Sequence, residues 1–251
     1  LTSRPPAVSA PDHPERPTHD TTITITGVTA RPGDGPSVEI PDLHVEPGAR
    51  IGIVGPSGSG KSTLAALLLR FLDPDTGTIS LGGRSMGDLD PPDVRKIVGL
   101  VDDDPHVFAS SLVENVRLAR PGATDDEVEQ AIRRAHLGDW LDALPAGMQT
   151  RLGDGAAEVS GGERARLAVA RSLLAGHKVL VLDEPLAHLD TATAASLARE
   201  VLAREDGSTA GAEPGPHGGT KTVLWMTHTS TGLGLTDTVV SLQRMGEVRR
   251  C

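Results

Sequence analysis

The chain has 251 residues, enough for one large domain or two small ones with a substantial core. Its formal net charge of −10 argues against a nucleic-acid-binding face and against direct attachment to an anionic membrane surface. The single cysteine, Cys251, excludes an internal disulfide and fits a reducing compartment. No apolar run approaches the roughly 18–20 residues of a transmembrane helix, and no signal peptide is visible. Because the chain does not begin with Met, we expect it to be part of a longer polypeptide.

The first quarter of the chain predicts a linker, two antiparallel strands and then a strand followed by a helix. Leu1–Asp20 is rich in Pro and His without apolar periodicity, which indicates a disordered linker to an upstream domain. Thr21–Thr29 alternates Thr with Ile or Val, and Ser37–Val45 predicts a second strand. Ala49–Val54 is typical of a buried strand, and Thr63–Arg70 of a helix.

The turn between that strand and that helix reads G-P-S-G-S-G-K-S-T and matches the phosphate-binding pattern G-x-x-x-x-G-K-[ST]. Its glycines can adopt backbone angles that are closed to other residues, so that N–H groups converge on an anion at a helix N-terminus. Lys61 is expected to reach the β- and γ-phosphates, and Ser62 to ligate Mg²⁺. A chance glycine-rich turn is the alternative, and the flanking strand and helix disfavour it. The expected phosphate ligands are Gly55, Pro56, Ser57, Gly58, Ser59, Gly60, Lys61, Ser62 and Thr63.

The rest of the chain alternates strands with helices, which predicts a parallel α/β core. A helical subdomain is expected to be inserted at about 104–160, with acidic residues at the helix starts. Predicted strands are Thr78–Leu81, Ile97–Val101, Lys178–Leu182, Thr222–Met226, Thr238–Leu242 and Glu247–Arg249. Predicted helices are Ser111–Leu118, Asp125–Ala135, Leu137–Leu144, Arg164–Ala175 and Leu189–Leu202. Glu205–Thr220 is rich in Gly and Pro and is interpreted as a flexible insertion.

A strongly apolar strand, Val179–Leu182, ends in two carboxylates. In a parallel sheet, these carboxylates would lie at the edge where ligands bind. Asp183 is expected to hold Mg²⁺, and Glu184 to activate the attacking water as a general base. The alternative is an ordinary strand that ends in acids before Pro185, and the phosphate loop upstream disfavours it.

A second glycine-bearing turn, Ser160-Gly161-Gly162-Glu163, precedes a predicted helix. A serine N-cap followed by two glycines predicts exposed N–H groups at a positive helix end, and therefore a second anion site. One compact subunit has no evident use for two γ-phosphate sites. We therefore expect the second turn to contact a nucleotide held by another subunit, although a simple helix start remains the alternative.

Together these motifs resemble those of the ATP-binding cassette family, over Thr21 to Arg249. The resemblance identifies Gly55–Thr63 as Walker A, Val179–Glu184 as Walker B and Val159–Glu163 as the signature usually written L-S-G-G-Q. It implies a P-loop NTPase (RecA-like) core with an antiparallel β subdomain and an inserted α-helical subdomain. It also implies ATP and Mg²⁺ as ligands, with domain limits of 1–20 for the linker and 21–251 for the nucleotide-binding domain.

The same resemblance implies further site residues and partners. Asp190 ends a segment similar to the D-loop, Ala187–Asp190, and His228 occupies the place of the switch histidine that contacts the γ-phosphate. Thr150–Gly155 resembles the X-loop of exporters, which contacts the membrane domains. The implied partners are a second nucleotide-binding domain in a head-to-tail dimer and the transmembrane domains, at the cytoplasmic face of a bacterial plasma membrane.

Two positions depart from the family pattern. Asp103 stands where the family usually has the glutamine of the Q-loop, so it can still offer oxygen to Mg²⁺ but brings negative charge towards the γ-phosphate. No aromatic residue follows the first strand to stack on adenine, where Arg31 could offer only its guanidinium plane. These departures predict weaker base binding and a slow or asymmetric site.

A finer resemblance is to the CydC half of CydDC exporters, based on the Asp-rich Q-loop, the A-H-L-D segment and the sequence V-L-W-M-T-H-T. It implies a heterodimeric exporter of cysteine or glutathione that serves cytochrome bd assembly. Two other functions remain open. A cassette ATPase of DNA repair or of the ribosome is disfavoured by the short, heptad-free helical interval and the acidic charge. A non-hydrolysing regulatory domain is compatible with Asp103 and the missing aromatic.

Overall fold

A computed structural model of the chain describes residues 8, 10–33, 35–153, 158–187, 189–203 and 221–243. The strands in these ranges are β1 Ile23–Ala30, β2 Val38–Glu39, β3 Leu43–Val45, β4 Arg50–Val54, β5 Thr76–Leu81, β6 Arg84–Ser85, β7 Val98–Val101, β8 Val179–Asp183, β9 Thr222–Thr227 and β10 Thr238–Ser241. The α-helices are α1 Lys61–Leu68, α2 Pro91–Ile97, α3 Leu112–Arg117, α4 Asp125–Arg134, α5 Gly138–Ala143, α6 Gly161–Ala175 and α7 Thr191–Leu202. None of the helices in the described ranges is long and apolar enough to span a membrane.

Five strands form a parallel sheet in the order β10-β4-β9-β8-β7, which confirms the predicted parallel α/β core. The central strands β4, β9 and β8 are buried on both faces, and successive residues along each of them face opposite sides. In β8, Leu180 and Leu182 pack in one hydrophobic cluster with the inserted helices, and Val179 and Val181 pack in the other with α1. The strand on which the catalytic carboxylates were predicted is therefore central to both cores.

The antiparallel sheet is built on β1, which pairs with β5 on one edge and with β2 and β3 on the other. The predicted single strand Ser37–Val45 is thus wrong, because it is split into two short strands. Pro41 lies between them and has no N–H to donate. Opposite it, Gly27 takes a φ of +60° at a register shift of β1, and its N–H is accepted by Asp42 Oδ1 at 2.7 Å.

Helices α3, α4 and α5 pack with α6 around one apolar cluster that continues onto the face of the parallel sheet. The start of α4 is fixed by a capping box in which Thr124 Oγ1 accepts from the Glu127 N–H, and Glu127 accepts from the Thr124 N–H. The sequence predicted these three helices to within two residues at each end. Their core is shared with the parallel sheet, so that the inserted helices are held firmly against it.

The prediction missed α2, which lies between β6 and β7 and merges into the predicted strand Ile97–Val101. Asp90 precedes its first turn, and Pro91 stands at the first helical position, a pattern that favours helix initiation. Leu89 and Val94 are fully buried in the cluster beneath the antiparallel sheet. The sequence thus carries a signal for this helix, although no element is predicted between Gly83 and Ile97.

Part of the predicted N-terminal linker contacts the antiparallel sheet. The Glu15 N–H donates to Asp88 O at 2.8 Å, and Thr18 Oγ1 lies 3.3 Å from Gly82 O. The predicted insertion Glu205–Thr220 and the predicted strand Glu247–Arg249 lie outside the described residues. The limits of the linker and of the domain remain predictions.

Arg50 is a buried charge at the base of the sheet, with 2 % of its surface exposed. Its guanidinium donates to Leu202 O at 3.2 Å and to Ala203 O at 2.9 Å, beside the end of α7. It also donates to Gly48 O at 2.7 Å and to Lys221 O, just before β9. The positive group therefore satisfies carbonyl oxygens at a helix C-terminus, where the helix dipole favours a cation.

We predict that Arg50→Met lowers the free energy of unfolding by about 3 kcal/mol, because it leaves several buried carbonyl oxygens without a donor. The measurement is urea denaturation monitored by circular dichroism. Arg199→Met, on the exposed face of α7, is the control and should change stability by less than about 0.5 kcal/mol. Equal stability of the two variants would contradict a structural role for the Arg50 contacts.

Candidate nucleotide-binding site

Parallel pairing brings the ends of four strands to one edge of the sheet. Val54 at the end of β4 pairs with Thr227 of β9, and Met226 pairs with Asp183 of β8. Val101 at the end of β7 pairs with Leu182 of β8. The phosphate loop, His228, the Asp183-Glu184 pair and Asp103 follow these ends directly, so the predicted site residues converge at the edge where such sheets bind ligands.

The loop between β4 and α1 has the backbone geometry of an anion-binding turn. Gly58 has a φ of +77° and Gly60 a φ of +102°, both in the region that favours glycine. A Cβ on Gly60 would lie 2.3 Å from Val38 Cγ1, so the loop also packs too closely against β2 for a side chain. Helix α1 starts at Lys61 without a capping side chain, and its first N–H groups are available to an anion.

Lys61 is buried and reaches both the loop and the carboxylates. Its Nζ donates to Gly55 O at 2.8 Å and lies 3.4 Å from Pro56 O and 3.5 Å from Glu184 Oε1. Within the described residues, the buried Ser59 Oγ has no hydrogen-bond partner. A cation, uncapped N–H groups and a spare hydroxyl at one loop fit the phosphates of a nucleotide.

Ser62 Oγ donates to Asp183 Oδ2 at 2.6 Å, which links the first turn of α1 to the end of β8. These hard oxygen ligands fit Mg²⁺, which is commonly held by one or two protein oxygens together with substrate phosphates. Among the described residues no group of three or more His, Cys, Asp or Glu side chains could hold a metal by itself. The donor set therefore fits a magnesium ion that is held jointly with a phosphate.

Asp183 is 6 % exposed, and burial raises its pKa above the ordinary aspartate value. Repulsion from Asp103 and Glu184 raises it further, while the hydrogen bond from Ser62 and the charge of Lys61 lower it. Asp103 itself is exposed, and its interaction with Asp183 places its negative charge near the site. The site thus collects more negative than positive charge, which favours binding of a cation.

Glu184 has a φ of +48°, an uncommon conformation for a residue with a side chain. Its N–H donates to Met226 O at 3.0 Å, which fixes the turn after β8 against β9. Its carboxylate lies 2.9 Å from His228 Nδ1 and accepts from the His228 N–H at 3.3 Å. Strained backbone that the surrounding contacts hold in place is often found at functional sites, and here it directs Glu184 towards Lys61 and His228.

The Ser160 turn lies at a different pocket of about 440 Å³. Ser160 caps α6 by accepting from the Glu163 N–H at 3.3 Å, and Glu163 accepts from the Ser160 N–H at 2.8 Å. Asp190 caps α7 by accepting from the N–H groups of Ala192 and Thr193. Hydrogen bonds from Thr193, first from its side chain and then from its backbone, lower the pKa of Asp190. Ser160, Gly161, Gly162, Arg166, Leu189, Asp190 and Thr193 line the pocket, and none of them belongs to the phosphate loop.

The structure therefore divides the predicted residues into two sets. Lys61, Ser62, Asp183, Glu184 and His228 form one contact network, with Asp103 nearby. Ser160, Gly161, Gly162 and Asp190 line the second pocket, and Glu163 holds Ser160 in place. Arg166 and Thr193 were not predicted as site residues. Thr193 lies about one helical turn beyond Asp190, and Arg166 lies about one turn beyond Gly162, whose O accepts from Arg166 Nε at 3.1 Å. His188 of the predicted D-loop and the end of the predicted X-loop lie outside the described residues.

The four aromatic residues of the chain all lie away from the position where an adenine-stacking residue was expected. The sequence has two Phe, two Trp and no Tyr residues. Trp225 is 1 % exposed in the core, Phe71 packs against Arg95 beyond α1, Phe108 lies on a loop before α3 and Trp140 lies on α5. None of the four is on β1 or β2, where Arg31 is exposed after the first strand.

In a comparison with known protein families, the model described as ABC transporter matches residues 38–187, which is more than half of the chain. The chain therefore belongs to the ABC transporter family. Its fold is the nucleotide-binding domain of that family, built on the P-loop NTPase core that the phosphate loop predicted.

Similar proteins include the mitochondrial iron-sulfur clusters transporter ATM1 of Kluyveromyces lactis, which is 43 % identical over 157 residues, 62 % of this chain and 22 % of the relative. The transport ATP-binding protein AarD of Providencia stuartii is 45 % identical over 149 residues, 59 % of this chain and 25 % of the relative. The chain thus corresponds to a quarter or less of the length of these relatives. A bacterial Atm1-family ABC exporter solved with ATP bound superposes with a TM-score of 0.82 and 28 % identity, over 95 % of this chain and 40 % of the exporter chain.

We predict that Gly60→Ala weakens nucleotide binding by about 30-fold or more, because the added Cβ clashes with Val38 and the φ of +102° is strained for alanine. Isothermal titration with ATP and Mg²⁺ measures the change. Val38→Ala combined with Gly60→Ala removes the clash but not the strain, so it should restore binding only in part. Full restoration would show that packing alone demands the glycine.

We predict that Asp183→Asn is more stable than the wild type at pH 7 without divalent cations. The raised pKa means that the ionised carboxylate opposes folding, and its cost disappears as the pH falls towards about 4, where the unfolded chain is also protonated. Thermal melting between pH 4 and 8 measures the difference. Asp75→Asn, at an exposed position, is the control. A less stable Asp183→Asn at neutral pH would contradict the predicted sign.

Proposed function

We propose that this chain is the nucleotide-binding domain of an ABC exporter and that it hydrolyses ATP to power transport across a membrane. The observation that carries the proposal is the contact network of Lys61, Ser62, Asp183, Glu184 and His228 at the sheet edge. This network combines a phosphate-binding cation, a pair of magnesium ligands and a carboxylate beside a histidine, which are the groups that phosphoryl transfer requires.

For nucleotide binding, the backbone N–H groups from Ser57 to Thr63 and the Lys61 ammonium would hold the phosphates, with Gly55 and Pro56 at the start of the loop. Ser62 and Asp183 would ligate Mg²⁺, and Asp103 would contribute a further oxygen at the same site. When bound, Mg²⁺ would neutralise charge on the phosphate oxygens. The closeness of Ser62 to Asp183, at 2.6 Å, supports a shared role for these two ligands.

For hydrolysis, Glu184 would accept a proton from the attacking water as that water bonds to the γ-phosphorus, and the bond to the ADP oxygen breaks. His228 would donate a hydrogen bond to the transferred phosphoryl group and hold Glu184 in position. The strained backbone at Glu184 and its contacts with Lys61 and His228 support this assignment, because they orient the carboxylate before any reaction.

The second pocket supports a dimer in which each site contains groups from two subunits. Ser160, Gly161 and Gly162 would complete the γ-phosphate contacts of a nucleotide that is held by the facing subunit, with Asp190 beside them. Ser160 is exposed and caps a helix whose N-terminal dipole favours an anion. A head-to-tail arrangement with another nucleotide-binding domain is the symmetry that brings such a turn to a phosphate loop.

Export, rather than import, is supported by the likeness to an Atm1-family exporter and by the resemblance of Thr150–Gly155 to an X-loop. The partners would be transmembrane domains, and the domain would lie at the cytoplasmic face of a bacterial plasma membrane. Export of cysteine or glutathione by a heterodimer is the finer proposal, which the CydC-like motifs support. Uptake of labelled glutathione into inverted vesicles that contain the full-length transporter would test it, with labelled cysteine as the second substrate.

A non-hydrolysing regulatory domain is the second candidate function. Asp103 favours it because this carboxylate adds negative charge near Asp183, where phosphate charge would also lie. The lack of an aromatic residue on β1 or β2 favours it as well, since the base would lose a stacking partner. A repair or ribosomal cassette is less well supported, because the helices between the phosphate loop and the Ser160 turn are short.

We predict that Glu184→Gln lowers ATP turnover by about a hundredfold or more, because the amide cannot accept the proton, while ATP affinity is retained. Phosphate release by the full-length transporter measures turnover, and titration with a fluorescent ATP analogue measures affinity.

Glu129→Gln, which changes an exposed ion pair on α4, is the matched control and should leave turnover unchanged. If Glu184→Gln also leaves turnover unchanged, this site is not the hydrolytic one and the regulatory function is favoured.

A further inference from the structure

Helix α6 connects two regions that are far apart. Its N-cap, Ser160, lines the second pocket, and Arg171 lies eleven residues further along the same helix. At about 1.5 Å per residue, the two positions are separated by about 16 Å along the helix axis. Arg171 faces residues 106–111, here named the 106–111 loop, which leads from the acidic segment after β7 into α3.

The guanidinium of Arg171 binds this loop and α3 through three neutral oxygens. Nη1 donates to His106 O at 2.7 Å, Nε donates to Asn115 O at 2.8 Å, and Nη2 donates to Asn115 Oδ1 at 2.9 Å. Burial lowers the pKa of Arg171, and none of these three contacts is with a carboxylate. A half-buried cation that faces neutral oxygens needs well-placed acceptors, so the geometry of the network is tightly constrained.

Asn115 extends the network into the loop. Its side chain is fully buried, and its Oδ1 also accepts from the Phe108 N–H at 2.9 Å. Its Nδ2 donates to Phe108 O and to Ser111 O, each at 3.0 Å. The amide therefore pairs with both backbone groups of Phe108 as a neighbouring strand would, although the loop itself has no regular secondary structure.

The loop presents an exposed surface. The Phe108 side chain is 48 % exposed, with its ring 5.9 Å from Arg171 Cζ and edge-on to His106. The Leu152 N–H donates to Ser110 O at 2.8 Å, so the loop also lies beside the described part of the predicted X-loop. A partner that contacts this surface would therefore be only one or two hydrogen bonds away from Arg171.

We propose that Arg171 is a positioning residue that ties the 106–111 loop to α6, so that the loop and the Ser160 turn move as one body. The inference rests on the proposed function for its consequence: a partner that contacts the loop would change the placement of Ser160 towards the facing subunit's nucleotide. Loss of the fork-shaped guanidinium separates the two regions, because an ammonium group cannot reach all three oxygens at once.

The test is a distance measurement between spin labels in the chain without nucleotide. With Cys251→Ser, labels are placed at Ala109→Cys in the loop and at Arg164→Cys near the start of α6, both exposed positions. We expect Arg171→Lys to widen the distance distribution at least twofold. Asn115→Ala breaks the same network from α3 and should widen the distribution equally. The double variant should add little, because the two residues act through one connection.

A second label pair, Gln130→Cys with Arg164→Cys, reports on the packing of α4 against α6 and should be unchanged in both variants. Arg133→Lys is the matched control, because Arg133 also makes three guanidinium hydrogen bonds, to Glu129 and Asp142, but on the surface of α4.

An unchanged distribution for the loop pair would overturn the inference. Widening of both label pairs, or loss of the fold in both network variants, would also overturn it, because the network would then serve stability alone. ATP affinity is measured separately on the same proteins. Failure of the wild-type chain to bind ATP would contradict the proposed function and leave the distance result valid for Arg171.

Discussion

Parallel pairing of β4, β9 and β8 is the constraint on which the rest of the structure depends. Because these strands run in the same direction, the residues that follow them meet at one edge of the sheet. Three short segments that are distant in the chain thereby supply Lys61, His228 and Glu184 to one network. The strands are held in this register by apolar side chains on both faces, so the site is positioned by the two hydrophobic cores.

Charge within the site follows from that convergence. The carboxylates of Asp183, Glu184 and Asp103 lie near one another, with the single ammonium of Lys61 among them. The free energy of assembling like charges is offset by local hydrogen bonds from Ser62 and His228, and a bound cation would reduce it further. The buried Arg50 contacts and the apolar clusters stabilise the sheet around this site.

The helical region depends on hydrogen bonds from side chains, because its helices are joined by irregular loops. Backbone groups in these loops need partners, and side chains such as Asn115 and Arg171 supply them from neighbouring helices. Such contacts add directional hydrogen bonds to the apolar packing that α3 and α6 already share. A buried polar network of this kind constrains geometry more strongly than apolar packing does, because each hydrogen bond has a preferred direction.

The sequence by itself determined the phosphate loop, the pair of carboxylates after β8, the serine N-cap at Ser160 and most helices and strands of the parallel core. These features are local, because glycine angles, caps and apolar periodicity act over a few residues. It did not determine the split of β2 from β3, the presence of α2, or the position of Arg166 at the second pocket. Only the tertiary structure decided that Glu184 pairs with His228 and Lys61, that Ser160 lies at a separate pocket with Asp190, and that Arg171 binds the 106–111 loop. Those outcomes depend on strand order and helix packing, which bring together residues whose separation in the chain gives no local signal.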